Sequence, residues 1–263
     1  SLLQDEDSKV ASLAMEQFLK MGDAAEETIA ELQEDGDSRL RHRIHQLSSI
    51  LFRRRSRKRF IGDVLNDGIS LWDGACRINA LYDSQCNLDR IGRSVAKLSA
   101  KLPPANISSS HIASLMRNEE FAVPEEDLLD GELYMMDSVL ETNFGSAPAL
   151  CVLAARVGQV RGWLPSTVLY EGRLCLLEGR RTLLDPSGGW KVQRLKESEK
   201  LHPCAKKEVW YMFLAQLFLI ALVEGQLRDL YHFGDLLTKL NRSSVDELPY
   251  PLGEQIPAGE RTE

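Results

Sequence analysis

The chain has 263 residues, of which 43% are hydrophobic and 27% charged, and this suits one large globular domain or two small ones. Its formal net charge of −7 disfavours general binding to nucleic acids or anionic membranes. Five cysteines without a CxxC pair indicate a reducing cytoplasm rather than a disulfide framework or a zinc site, and the acidic start SLLQDEDSK is unlike a signal peptide. The most apolar segment, 209–223, is shorter than the roughly 20 residues of a membrane span and predicts a buried helix.

The first part of the chain predicts short amphipathic helices separated by Gly and Asp turns. LKMGDAAEETIAEL resembles a HEAT-type repeat, so we expect a HEAT-like helical segment over residues 1–60. The predicted apolar stripes are Val10, Leu13, Ala14, Phe18 and Met21 in the first helix, Ala25, Ile29 and Leu32 in the second, and Leu40, Ile44, Leu47 and Leu51 in the third.

Charge is unevenly distributed in this part of the chain. Residues 1–37 hold eleven acidic and two basic side chains, whereas 38–59 hold nine Lys or Arg and no acid. The run RRRSRKR, from Arg53 to Arg59, admits two interpretations: a docking patch for an anionic partner, or the solvated C-terminus of a helix, where cations suit the helix dipole. No aromatic platform or glycine loop accompanies the run. We therefore favour the helix C-terminus, with the run paired to the acidic first helices.

The rest of the chain predicts more helices and then a small sheet. We expect residues 61–102 to continue helical until Pro103-Pro104, and a short helix around 111–116. Two further helices, 133–141 and 147–157, precede the strand-like runs STVLYEG, RLCLLEG and RTLLDPSGG, whose glycine-containing ends are typical of adjacent antiparallel strands. Helices over 206–224 and 226–240 and a proline-containing tail from Leu248 complete the prediction.

The order of these elements resembles the transglutaminase-like core of the bacterial SirB-type family. VLETNFGSAPALCVLAARVG (139–158) and GRLCLLEGRRTLLDPSGG (172–189) carry the resemblance, and LNDGISLWDGACRINALYDSQC is similar to the family's N-terminal part. The resemblance implies a papain-like α+β fold, with a helix across a short antiparallel sheet and tetratricopeptide-like helices after it. We therefore expect a predominantly helical α+β chain with four segments: the N-terminal helical segment (1–60), the helical part of the family (61–132), the transglutaminase-like core (133–195), and a helix pair with a tail (196–263).

The resemblance also implies where a catalytic triad would lie. Active members of the superfamily carry a Cys at the start of the central helix, a His on the next strand and an Asp on the strand after that. Here the Cys position falls between Asn143 and Ser146, and Ser146 is the only hydroxyl nucleophile there. The His position falls in 170–174, which holds Arg173 and no His. Asp185 matches the Asp position, although it also suits an Asp-Pro-Ser-Gly-Gly turn in which it accepts backbone N–H bonds.

Three other residues are candidates for chemistry. Cys151 is the alternative nucleophile, but it lies more than one turn into the helix, away from the amides that lower a thiol pKa. We expect it to be a small buried core residue. His42 and His45 share a helical face, but no third metal ligand is evident, so we expect solvated side chains and no metal site.

The strand pattern yields two structural predictions. Arg173, or failing that Arg180 or Arg181, should pair with Asp185 across adjacent strands and occupy the former active-site cleft. If the helix over 147–157 is central, its apolar face should be buried against the strands: Ala149, Leu150, Leu153, Ala154 and Val157.

The candidate residues favour binding over catalysis. We expect a non-catalytic, cytoplasmic transglutaminase-like protein that acts as a protein-binding or scaffold module, with no cofactor, nucleic acid or membrane. The alternative is a cysteine- or serine-dependent amide hydrolase or acyl transferase that uses Cys151 or Ser146 with a base from elsewhere in the chain.

Overall fold

A computed structural model describes residues 2–5, 7–25, 28–29, 32, 37–83, 86–125 and 129–243. The chain divides into two units, residues 1–62 and residues 63–263. The described residues form nine α-helices and one antiparallel sheet of five strands, which confirms the predicted α+β class. None of the helices in the described ranges combines the length and apolar character needed to cross a membrane.

The first unit contains α1 (Ser8–Met21) and most of α2 (Ser38–Leu65). α1 ends at Gly22, which adopts a φ of 60° and donates its backbone N–H to Phe18. Leu3, Ala14, Ala25 and Ile29 pack with the predicted stripe of α2, which is buried in full: Leu40, Ile44, Leu47 and Leu51. Much of the predicted second helix lies outside the described residues.

The predicted apolar stripe of α1 is partly wrong. Ala11 and Ala14 are buried, whereas Leu13 and Met21 are 60% and 53% exposed. Apolar residues surround most of this helix, so their spacing alone does not select the face that is buried.

The second unit begins with four helices: α3 (Leu71–Tyr82), α4 (Leu88–Ala100), α5 (Ser109–Asn118) and α6 (Met136–Thr142). Polar caps set where α3 and α4 begin, because Ser70 accepts from the N–H of Asp73 and Asn87 from that of Arg90. The predicted helix over 133–141 is corrected: a 3-10 turn (Gly131–Tyr134) comes first, and Met135, which is extended, separates it from α6.

The central helix is α7 (Ala147–Gln159), which follows the Ser146 cap and carries Pro148 in its first turn. Its predicted buried face is confirmed, since every member is fully buried: Ala149, Leu150, Leu153, Ala154 and Val157. Near its end, a Cβ on Gly158 would lie 2.4 Å from the ring of Trp163. Only glycine fits there without movement of that ring.

The sheet has the strand order β4-β3-β2-β1-β5. The predicted strands are confirmed as β1 (Ser166–Tyr170), β2 (Arg173–Glu178) and β3 (Thr182–Asp185). Two strands were missed by the sequence analysis: β4 (Lys191–Arg194), which pairs with β3, and the two-residue β5 (His202–Pro203), which pairs with β1.

The two faces of the sheet have different neighbours. The helix face carries Leu174, Leu176 and Glu178 of β2 and Leu184 of β3. Glu178 accepts two hydrogen bonds from Ser109 at the start of α5, one from its backbone N–H at 3.0 Å and one from its hydroxyl at 2.9 Å. α7 packs on β2, and α5 packs on β3 and β4. The outer face carries Cys175 and Leu183, which pack with Val168 and Leu195. Side chains alternate between these faces along each strand.

Two helices follow the sheet, α8 (Lys206–Val223) and α9 (Leu227–Asn241), close to their predicted bounds. They pack against each other, and α8 also packs on α3, where the Trp210 indole donates to the carbonyl of Leu71 at 3.0 Å. The predicted tail from Leu248 lies outside the described residues.

Candidate functional site

A tightly constrained turn leads into the N-terminus of α7. Asn143 adopts a left-handed φ of 62° and caps α6. The carbonyl of Asn143 accepts from the N–H of Ala122 at 2.9 Å, and Gly145 donates back to the carbonyl of Ala122 at 3.1 Å. A Cβ on Gly145 would lie 2.9 Å from a methyl of Val139, so the turn requires glycine for close packing. The backbone of Asn143 thus fixes the entry to the helix.

Ser146, the predicted position of the nucleophile, is the N-cap of α7. Its hydroxyl accepts from the N–H of Ala149 at 3.3 Å, and its own N–H donates to the carbonyl of Leu133 at 2.8 Å. The residue is buried. Its side chain therefore acts as a helix cap of the ordinary kind.

Cys151 lies fully buried within α7. Its Sγ lies 3.3 Å from the carbonyl oxygen of Leu174, to which the thiol donates. Burial raises the pKa of Cys151 well above its ordinary value, and the neighbouring Cys175 and Asp185 raise it further. Because the thiolate is the reactive form, this environment opposes nucleophilic chemistry. The prediction of a buried core cysteine is confirmed.

Arg173 and Asp185 form the predicted ion pair. Arg173 Nη1 lies 3.4 Å from Asp185 Oδ2, and the two side chains are 43% and 8% exposed. The other guanidinium nitrogen donates to Glu171 at 3.2 Å. Cys175 lies beside the pair. Its pKa is raised to about 12, mainly by burial and secondly by the negative charge of Asp185. A Cβ on Gly188 would lie 3.1 Å from Asp185 Oδ2, so the turn after β3 packs closely on this carboxylate.

The location predicted for this pair is wrong. Asp185 follows Leu184 on β3 and Arg173 precedes Leu174 on β2, so both belong to the outer face with Cys175. α7 and its Ser146 cap lie on the helix face. The structure therefore joins Arg173 to Asp185 but does not bring either of them together with Ser146 in one cleft.

The other polar candidates have local partners. His42 bonds to Gln46 on α2, and His111 completes the capping box of α5 with Ser108. His202 on β5 lies 3.5 Å from Glu208. His45 is exposed on α2, as predicted. Within the described ranges, no group of three His, Cys, Asp or Glu side chains is arranged to hold a metal ion.

The basic run lies inside α2 and not at its end. The helix continues six residues beyond Arg59, to Leu65, so the prediction of a helix C-terminus is wrong. Arg54 donates to the carbonyl of Leu19, which lies in the last turn of α1, at 3.1 Å. The helix dipole therefore does not account for the run.

Sequence analysis missed a cavity of about 130 Å³ between the start of α3 and the end of α7. We call it the α3–α7 cavity. Trp72, Val152, Trp163 and Leu164 form apolar walls, and Arg156 brings a positive charge. A single arginine within the apolar sequence ALCVLAARVG is the signal that points to this place.

Comparison of the chain with protein-family models, with curated proteins and with solved structures finds no match.

Proposed function

We propose that this chain is a non-catalytic protein with a transglutaminase-like core, which binds another protein as an interaction or scaffold module in the bacterial cytoplasm. The Arg173–Asp185 pair carries the non-catalytic part of the proposal, because it lies on the outer face of the sheet, apart from Ser146 and α7. The resemblance places a histidine where this chain has Arg173, and Arg173 Nη1 lies 3.4 Å from Asp185 Oδ2. Arginine stays protonated at neutral pH and does not act as a general base there.

The two possible nucleophiles support the same proposal. The Ser146 hydroxyl is engaged in capping α7, and the Cys151 thiol is fully buried with a raised pKa. A hydrolase or transferase that used either group would need a base beside it and a path for substrate. Neither side chain is placed for that role by its contacts.

The helix pair α8–α9, which we interpret as tetratricopeptide-like, offers a surface for a partner. Val223, Leu227 and Tyr231 are 62%, 77% and 70% exposed. We call these three residues the apolar strip; Leu227 and Tyr231 lie four residues apart and so share one side of α9. Exposed apolar side chains that share one side of a helix support a protein-interaction surface. The partner we propose is a protein that presents an apolar segment to this strip.

Charge and cysteine chemistry support the remaining parts of the proposal. The net charge of −7 opposes binding to nucleic acid, and none of the five cysteines, all of which are described, forms a disulfide. Free thiols are the normal state of cysteines in a reducing cytoplasm.

Quantitative affinity capture tests the binding function. The wild-type chain should enrich one partner, Leu227→Asp with Tyr231→Asp should lose it, and Leu129→Asp should retain it. Leu129 is a matched control because it is also a large exposed apolar residue, outside the strip. Equal recovery by the two variants would refute binding through the strip.

Thiol alkylation tests the absence of cysteine catalysis. Iodoacetamide at neutral pH should leave Cys151 unmodified until the chain is unfolded, since the folded environment keeps this thiol protonated. Peptide mass mapping before and after denaturation measures this. Selective labelling of Cys151 in the folded chain would favour the hydrolase or transferase alternative.

A further inference from the structure

We infer that the α3–α7 cavity binds a small organic anion, namely a compact apolar or aromatic group that carries a carboxylate. The inference rests on the charge of Arg156, on the size of the cavity and on its aromatic walls. It depends neither on the transglutaminase-like resemblance nor on the apolar strip.

Arg156 forms no ion pair with a carboxylate of the residues that the structure describes. Its Nη1 donates to the neutral amide of Gln159 at 3.1 Å, and its Nε is buried with no acceptor among the described residues. Three other arginines of the same unit each pair with a carboxylate: Arg77 with Asp63, Arg90 with Glu141, and Arg173 with Asp185. A cation suits the last turn of a helix, but this position does not explain a buried N–H without an acceptor. The buried Nε is out of a ligand's reach, but Arg156 lines the cavity, and a bound carboxylate there would neutralise its charge.

The beginning of α3 adds to the positive potential of the cavity. Ser70 and Leu71 lie in the cavity wall, and the first backbone N–H groups of a helix carry partial positive charge. Ser70 caps the N–H of Asp73, which leaves the N–H groups of Leu71 and Trp72 without a partner inside the helix. The carboxylate of Asp73 in the same turn accepts from the Ser70 hydroxyl at 2.7 Å and offsets part of this potential, so Arg156 is the main positive charge that an anion would meet.

The walls select an apolar body of limited size. This cavity measures about 130 Å³, somewhat less than the dry cavity of about 150 Å³ that accommodates benzene, so a single ring would fill it and extend past the exposed Leu164. Trp72 and Trp163 are largely buried and provide flat aromatic surfaces. Trp163 is held rigidly, because its indole N–H donates to Glu178 at 2.9 Å. Leu164 is 75% exposed while lining the cavity, so an apolar ligand would cover it.

A second cavity shows what distinguishes this one. It measures about 190 Å³ and lies beside α4 and α6, with Arg90, Asp137 and Glu141 in its walls. Arg90 is already neutralised by Glu141 at 2.9 Å, and the further carboxylate of Asp137 would repel an anion. Size alone would favour this second cavity, but the charges favour the α3–α7 cavity.

The test is a titration of the full chain with phenylacetate, followed by the indole N–H signals of its four tryptophans in ¹H–¹⁵N NMR spectra. We expect saturable shifts for Trp72 and Trp163. Trp190 is the internal reference, because its indole is buried and donates to the carbonyl of Phe121 elsewhere in the unit. The absence of saturable shifts at Trp72 and Trp163 up to tens of millimolar phenylacetate would overturn the inference.

Charge recognition is tested with a neutral ligand and with matched variants. Phenylacetamide, which has the same ring and no charge, should bind wild type about tenfold or more weakly than phenylacetate. Arg156→Gln should weaken phenylacetate binding by a similar factor and leave phenylacetamide binding unchanged. Arg93→Gln removes the same charge from an exposed site on α4 and should bind like wild type. Equal binding of the acid and the amide by wild type would overturn the inference without reference to any variant.

Discussion

Replacing Gly158 with alanine should destabilise the second unit, although the same change in most helices stabilises them. Gly158 lies in the last turn of α7, where helix propensity alone favours alanine by up to about 1 kcal/mol. A Cβ at this position would lie 2.4 Å from Cε3 of Trp163 and 3.1 Å from Cδ1 of Ile112. The substitution therefore sets helix propensity against packing.

We expect the cost of the steric overlap to exceed the gain in helix propensity, because Trp163 has little room to move. The residue is 4% exposed, its indole N–H donates to Glu178 at 2.9 Å, and its backbone N–H donates to the carbonyl of Gly158 at 3.0 Å. Overpacking a core costs about 1–3 kcal/mol, and the rigid ring argues for the upper part of that range. After subtraction of the propensity gain, we expect a net loss of about 2 kcal/mol, which for a unit of this size lowers Tm by about 4–8 °C.

Urea unfolding followed by tryptophan fluorescence measures this loss. All four tryptophans (Trp72, Trp163, Trp190 and Trp210) lie in the second unit, so the signal reports that unit alone. Gly92→Ala is the matched control: Gly92 is exposed in the interior of α4, and its Cβ would meet nothing within 4 Å. It should stabilise by about 0.5–1 kcal/mol. If Gly158→Ala were as stabilising as Gly92→Ala, the packing of α7 on Trp163 would be wrong.

Three further predictions concern the core, the ion pair and pH. Leu153→Asp should cost several kcal/mol by burying an unpaired carboxylate, and an unchanged Tm would count against the central position of α7. Asp185→Asn should lower Tm without affecting any hydrolytic activity; a double-mutant cycle with Arg173→Gln should give a coupling of about 0.2–1 kcal/mol, and zero coupling would refute the pair. From pH 8 to 9.5 the free energy of unfolding should fall, because unfolded thiols ionise near pH 8.5, whereas Cys76 and Cys175 have pKa values of about 12 when folded. A variant with both cysteines changed to alanine should show a shallower fall, and an unchanged slope would contradict this.

Helices with a narrow apolar stripe were the most predictable part of the fold. In α2 the stripe from Leu40 to Leu51 is set against charged residues, and it is buried as predicted. In α1 apolar residues lie on most sides, and the buried side is the one with Ala11 and Ala14. Tertiary packing decides which side of α1 is buried, and the spacing of apolar residues within one helix carries no information about that packing.

Strands that depend on a neighbour were not predictable from the chain. β4 reads KVQR and is polar at three of its four positions, so it lacks the apolar alternation by which β1–β3 were found. β5 comprises only His202 and Pro203, and it is a strand because it pairs with Val168 and Leu169 of β1. Arg156 was overlooked for a similar reason, since only the packing of α3 against α7 makes a cavity around it.

The alternation of side chains across the sheet also explains why the predicted ion pair forms while the predicted cleft does not. An active site between a helix terminus and two strands needs its strand residues on the face that carries the helix. On that face β2 and β3 present Leu174, Leu176 and Leu184, all buried. Arg173 and Asp185 are each one residue out of step with them and therefore point to the outer face. A histidine placed at Arg173 would meet Asp185 but not the start of α7, so a His–Asp couple that served this helix would have to replace core leucines. The order of motifs along the chain carries the resemblance, whereas the register of the strands decides which side chains meet.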